Sequence, residues 1–114
     1  MKMSFNSTAE FQKDFKKLSK KFKTLNSDLA ELKKVLDEVP LGIGRHFYII
    51  TQTEVFYVLK ARLFCRYLRG SSLRVVYVYF EQEQRIEFIE LYFKGNKGNE
   101  NRERIKEYLK NQKN

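Results

Sequence analysis

The hydrophobic repeat of this chain changes period once, and the change falls at its only proline. Before Pro40, Phe11, Phe15, Leu18, Phe22 and Leu25 recur at steps of four, three, four and three, the stripe that one face of an α-helix presents. Leu29, Leu32, Val35 and Leu36 repeat the pattern and predict a second helix with all four inward. That helix must stop ahead of Pro40, because a residue preceding proline avoids the helical region. Ser7-Thr8-Ala9-Glu10 has the spacing of a capping box for the first helix, and Asn26-Ser27-Asp28 reads as a turn that caps the second. So short a connection implies an antiparallel helical pair.

From Leu41 onward β-branched and aromatic residues dominate and predict strands over 57–68, 73–81 and 85–93. Gly70-Ser71-Ser72 and Gln82-Glu83-Gln84 mark turns between them, short enough to require hairpins and antiparallel pairing. Residues 2–6 form a candidate edge strand. The basic segment 94–99 reads as a flexible loop, and a last helix turns Ile105, Tyr108 and Leu109 to one side. The element order predicts an α+β fold. With 114 residues, the chain supports one domain over 1–114 around one core.

Charge narrows the function classes. The chain carries 23 Lys and Arg against 14 Asp and Glu, a net charge of +9, which draws phosphate backbones, anionic lipid or acidic protein. No apolar run approaches the roughly 20 residues a membrane span needs, and the first residues lack the apolar stretch of a signal peptide. A cytoplasmic protein without a membrane partner is therefore expected. Cys65 is the single cysteine and His46 the single histidine, so a disulfide framework is excluded and a Cys-based zinc site is not expected. Neither metal nor cofactor is implied.

The basic charge is concentrated. Between Val55 and Phe80 there is no Asp or Glu, yet Lys60, Arg62, Arg66, Arg69 and Arg74 all fall there. Residues two apart on a strand share a face. Lys60, Arg62 and Arg66 therefore point one way with Phe64 between them, and Leu63, Cys65 and Tyr67 point the other. Cations interleaved with aromatics suit a polyanion with stackable bases. The alternative is that these arginines pair with Glu54, Glu81, Glu87 or Glu90 on neighbouring strands.

Other candidates have blander readings. His46 is expected at a loop or strand edge without a chemical role, and Cys65 as a small buried apolar residue. Gly42-Ile43-Gly44 lacks the third glycine of a nucleotide-binding loop and reads as a turn. The 94–99 loop either cradles phosphate with backbone N–H groups or simply connects. Lys13, Lys16, Lys17, Lys20, Lys21 and Lys23 make a solvated helix face. Arg102, Glu103, Arg104, Lys106 and Glu107 read as surface ion-pair partners.

Three stretches together resemble a known family: Lys60-Ala61-Arg62, then 68–77 with Arg74 opening Arg74-Val75-Val76-Tyr77, then 86–94 ending in Lys94. With the element order, they are similar to the RelE/ParE superfamily of bacterial toxins, over nearly the whole chain. The resemblance implies a RelE-like fold, in which an N-terminal strand and helical hairpin pack on an antiparallel sheet followed by a C-terminal helix. It implies a toxin held inactive by a cognate antitoxin. In the RelE-like branch such a toxin is a metal-independent endoribonuclease acting on ribosome-bound mRNA, by attack of the ribose 2′-hydroxyl on the adjacent phosphate. In the ParE-like branch it is an inhibitor of DNA gyrase that cleaves nothing. A basic RNA-binding module without cleavage is the remaining alternative.

Carried over by position, the resemblance makes Lys60, Arg62, Arg74 and Lys94 catalytic. Arg74 would stabilise the phosphorane, and Lys60 would act as base if neighbouring cations lowered its pKa. Arg66, Arg69 and Lys97 would bind RNA, Lys97 being a second candidate for the basic residue that follows the last strand. RelE itself has a tyrosine shortly after that strand, and other branches have a His-Tyr pair. Here 95–102 contains neither.

Overall fold

The change of repeat at Pro40 separates a helical layer from a sheet. The structure, a computed structural model, describes residues 3–112. Helix α1 (Ala9–Lys21) and helix α2 (Leu25–Glu38) are joined through Phe22, Lys23 and Thr24. Five strands follow the order β1-β5-β4-β3-β2 across one sheet. They are β1 (Ser4–Ser7), β2 (Phe47–Gln52), β3 (Tyr57–Cys65), β4 (Gly70–Phe80) and β5 (Arg85–Phe93), and helix α3 (Arg102–Asn111) follows β5. The α+β class and the order of elements are as expected. The sheet is mixed, however: β2 to β5 form an antiparallel meander, whereas β1 runs parallel to β5. The helical hairpin carries the chain from β1 to the opposite edge, and the meander returns β5 beside β1 in the same direction.

Strand β2 escapes the sequence reading because it does not alternate. Its register shifts between Ile49 and Thr51, and Tyr48 and Ile49 are both exposed. The strand expected at 2–6 is β1, shifted toward Ser7; Lys2 lies outside the described residues. The turn expected at Gly70 instead occupies 66–69, where Arg69 takes a positive φ of 55°, and Gly70 already opens β4. Helix α2 holds this turn: Thr24 Oγ1 accepts the Tyr67 N–H at 2.9 Å and the buried Asp28 accepts that of Arg66. Asn26, Ser27 and Asp28 thus lie inside the first turn of α2 rather than before it, and Leu25 opens α2 instead of closing α1. Thr8, not Ser7, caps α1, accepting from the Phe11 N–H at 3.1 Å. Ser7 is spent on β1, opposite Phe88.

Each sheet face has its own core. On one, α1 lies against β5 and α2 against β3, burying Leu25, Leu36, Leu59, Val75, Tyr77 and Phe88. Leu25 and Leu36 are fully inaccessible, each such leucine contributing about 1.5–3 kcal/mol. Val35, expected inward, is 43% exposed. On the other face, Ile105, Tyr108 and Leu109 of α3 cover Val58, Val76, Val78, Phe80 and Ile89. That cover stops partway along the sheet. Beyond it, toward the β3–β4 hairpin, the face carries charge.

Candidate functional site

Register builds the site. In the β3–β4 ladder Arg62 stands directly opposite Arg74, and across β4 Tyr92 of β5 is the partner of Arg74. Lys60 shares the face of Arg62 two residues back and faces Tyr48 on β2. Like charges directly opposite in a sheet are destabilising, so the Arg62–Arg74 pair opposes folding unless something else uses it. The Arg74 guanidinium is tied down at the start of β4 by Nη1, which donates to the Ser71 carbonyl at 2.6 Å and the Leu73 carbonyl at 3.1 Å. Burial and then the charge of Arg62 press its pKa below the ordinary arginine value, with Tyr92 acting the other way. The folded chain thus holds two cations in mutual repulsion, which an anion placed between them relieves.

These side chains form the floor of an open cavity of about 560 Å³. Arg45 and His46 enter from a single 3₁₀ turn (Gly44–His46) and Tyr48 from β2, while Lys94, Asn99, Glu100 and Arg102 come from the segment after β5. Six Lys and Arg side chains face one carboxylate, that of Glu100. Glu100 is buried, and it accepts from Lys60 Nζ at 2.8 Å and pairs with Arg102 Nη2 at 2.9 Å. Burial alone would raise its carboxyl, but Lys60 and Arg102 hold it below the ordinary carboxylate value, so it is an anion at neutral pH.

The loop that brings Glu100 into place is itself anchored by an acid. Glu90, buried on β5, accepts from Lys97 Nζ and from the Asn101 backbone N–H at 2.8 Å. Lys94 Nζ donates to the Gly98 carbonyl at 2.7 Å. Beneath the loop lies Tyr92, whose hydroxyl is buried and has no hydrogen-bond partner among the described residues. Burial first, then Glu100 and Glu90, push it up to about 12 against the opposing pull of Arg74, so it stays protonated at neutral pH.

The structure brings together the four residues expected to be catalytic, Lys60, Arg62, Arg74 and Lys94, in this one cavity. The three expected RNA contacts are dispersed. Arg66 lines a neighbouring cavity that shares Arg62 and His46 with the first. Arg69 stands at the hairpin turn and lines neither cavity, and Lys97 is committed to Glu90. Pairing of the arginines with strand acids does not occur among the described residues. Glu87 takes Arg85 and Glu90 takes Lys97, while Arg62, Arg66, Arg69 and Arg74 form no ion pair.

Sequence reasoning missed Arg45, His46, Tyr48, Glu100 and Arg102. His46, expected to be without a role, lines both cavities. Recognising β2 would have placed Tyr48 opposite Lys60; nothing in the sequence announces the arrival of Glu100. Arg104, read as a surface ion-pair partner, does pair with Asp14 at 2.6 Å, but it is half-buried and also donates to the Ile89 carbonyl at 3.0 Å, tying α3 to α1 and β5. The lysines of α1 are exposed and Cys65 is buried, both as expected.

No family model matches the chain, and no curated protein matches its sequence. Solved structures do share its fold. The archaeal RelE–RelB complex from Pyrococcus horikoshii aligns with 18% identity over 83% of this chain and 98% of that one, at a TM-score of 0.63. The Escherichia coli DinJ–YafQ toxin–antitoxin complex aligns with 12% identity over 87% and 100%, at 0.55. A metal-bound toxin from Helicobacter pylori aligns with 19% identity over 83% and 98%, at 0.52. The chain therefore has the RelE-like fold that its sequence led one to expect.

Proposed function

We propose that this chain is the toxin of a toxin–antitoxin pair and an endoribonuclease that cuts mRNA on the ribosome. The observation that carries the reading is the Arg62–Arg74 pair, two unneutralised guanidinium groups facing each other across a ladder at the floor of an open cationic cavity. A phosphodiester supplies the missing anion, and its charge grows as a pentacovalent phosphorane forms, so preorganised cations hold the transition state more tightly than the ground state.

In this reading the ribose 2′-oxygen attacks phosphorus, its proton passes to the ionised Glu100 carboxylate, and the P–O5′ bond breaks. The departing 5′-oxygen takes a proton from Lys60, which stands as donor in the Lys60–Glu100 hydrogen bond. The products are a 2′,3′-cyclic phosphate and a 5′-hydroxyl, and Lys94 assists in holding the phosphate. The setting that goes with this chemistry is the cytoplasm, with a cognate antitoxin as partner. Two of the structures that share the fold are complexes, RelE with RelB and YafQ with DinJ.

The test is primer extension on a reporter mRNA in a translating bacterial extract, with wild type and Arg74→Ala, with and without active ribosomes. New 5′ ends that require Arg74 and translation are expected, with the variant cutting about 10²–10³-fold more slowly. Unchanged cutting by a folded Arg74→Ala chain, or intact mRNA with wild type, overturns the reading. Intact mRNA would make DNA gyrase the next target to assay.

A further inference from the structure

Two aromatic rings flank the arginine pair and serve no core. Tyr48 is 60% exposed and Phe64 is 54% exposed. Neither belongs to either buried cluster, and neither stacks on another ring among the described residues. Tyr67, similarly exposed, differs in packing against Phe22. Lys60 Nζ lies 5.8 Å from the centroid of the Tyr48 ring. Tyr48 lines the first cavity and Phe64 the second, and the two cavities share Arg62 and His46. Arg62 therefore lies between the two rings, Tyr48 in the cationic cavity and Phe64 in a neighbouring one that Arg62 and Arg66 line together with Asp28, Glu31 and apolar side chains of α2.

We infer that Tyr48 and Phe64 are base-stacking platforms for single-stranded RNA, one on each side of the phosphate site formed by Arg62 and Arg74. The inference rests on the reading of that cavity as a phosphodiester site and adds what selects the polymer. Lys60, opposite Tyr48, lies four residues from Phe64 along β3, roughly 13 Å at about 3.3 Å per residue. Bases stacked on one another are about 3.4 Å apart, so a strand that reaches both rings cannot keep its own stacking across the site. Each ring would replace a stacking contact that the strand gives up. Duplex RNA, whose bases remain paired and stacked, has no way to engage both. The exposed rings thus explain how a site made of arginines, which any polyanion would satisfy, prefers an unpaired strand.

The experiment measures binding by the full chain to three fluorescent probes: a 2′-O-methylated hexaribonucleotide that cannot be cut, an abasic strand with the same phosphates, and a duplex of the same sequence. Tyr48→Ala and Phe64→Ala are each expected to weaken the hexanucleotide about tenfold and to change the abasic strand less than about twofold. Tyr48→Phe and Phe64→Tyr should keep near-wild-type affinity, and the duplex should bind no better than the abasic strand. Arg74→Ala should weaken all three probes. Equal losses on the abasic strand, or no loss on the hexanucleotide, overturn the stacking role while leaving the phosphate site standing. No loss would also turn the two rings toward a protein partner. Binding of the abasic strand that ignores Arg74 overturns the phosphate site, and the stacking proposal falls with it.

Discussion

Replacing Glu100 by Gln separates what the cavity does for the fold from what it does for an anion. The Glu100 side chain is 2% exposed, and its partners differ: Lys60 is 21% exposed and Arg102 is 65% exposed. The Arg102 pair is therefore largely screened and contributes little, so most of the cost comes from Lys60. A hydrogen bond to a charged group is worth about 1.5–3 kcal/mol, and Gln keeps one acceptor oxygen, which leaves a loss of about 1–2 kcal/mol. At about 4 °C per kcal/mol for a domain of this size, Tm should fall by roughly 4–8 °C. Binding should move the opposite way. Lys60 is no longer neutralised by a carboxylate, so affinity for an uncleavable oligoribonucleotide should rise roughly fivefold, and the slope of log K against log salt should steepen by about 0.7. Thermal unfolding and fluorescence anisotropy across a salt series read the two effects separately. The pH dependence has a fixed sign. The folded Glu100 carboxyl lies below its ordinary value of 4.5, so its stabilisation is complete above that value and is lost as pH falls through the lower folded one. The Tm gap between wild type and Glu100→Gln should be constant above about pH 5 and close below it. A variant that binds RNA no more tightly, with an unchanged salt slope, would refute the view of Glu100 as a tethered anion on Lys60.

Three further substitutions probe the frame around the site. Tyr77, fully buried, donates to the Pro40 carbonyl at 2.8 Å, and burial pushes its hydroxyl well above the ordinary tyrosine value. Tyr77→Phe should lower the unfolding free energy by about 1 kcal/mol, read as a lower urea midpoint at an unchanged m-value, and an unmoved midpoint would show that hydrogen bond to be worthless. Gly42 has φ +76°, and a Cβ there would meet the Phe47 ring at 2.0 Å. Gly42→Ala should cost more than the roughly 1–2 kcal/mol of a left-handed residue. It should also weaken oligonucleotide binding, because Phe47 begins the strand that carries Tyr48; intact affinity would argue against that linkage. Asp14 accepts from the Leu91 N–H at 3.0 Å as well as from Arg104. Asp14→Ala should therefore cost about 2 kcal/mol and speed amide exchange in α3, and unchanged exchange would mean that α3 is held by its apolar face alone.

The helices, the three long strands and the cationic face were legible because each rests on a local repeat. Alternation along β3 put Lys60 and Arg62 on one face, whereas Arg74 and Lys94 were named only through the family resemblance. What stayed hidden depends on distance along the chain. Edge strand β2 carries a bulge that breaks its alternation, and Glu100 reaches Lys60 across 40 residues. Lys97 looked like a free loop cation and is neutralised by a strand carboxylate. The turn at 66–69 went unread because α2, not turn chemistry, holds it: Thr24 and Asp28 take its N–H groups, and Arg69 accepts a conformation that a glycine one residue later seemed to offer.

The apolar cover of α3 and the cationic cavity are two ends of one pattern. Val58 and Lys60 on β3, and Val76 and Arg74 on β4, are neighbours two apart on the same face. The alternation that packs the valines under α3 therefore also presents the cations beyond its end. A slip of one residue between β3 and β4 would exchange the faces of one strand. It would drive Arg62 or Arg74 into the layer that holds Leu63, Leu73 and Val75, and bring the residues of that layer out to water. Burying an unpaired guanidinium costs several kcal/mol, more than the repulsion between two half-solvated arginines. The charges that make the Arg62–Arg74 pair unfavourable in its native register are thus the same charges that exclude the wrong one, and the site helps specify the sheet that displays it.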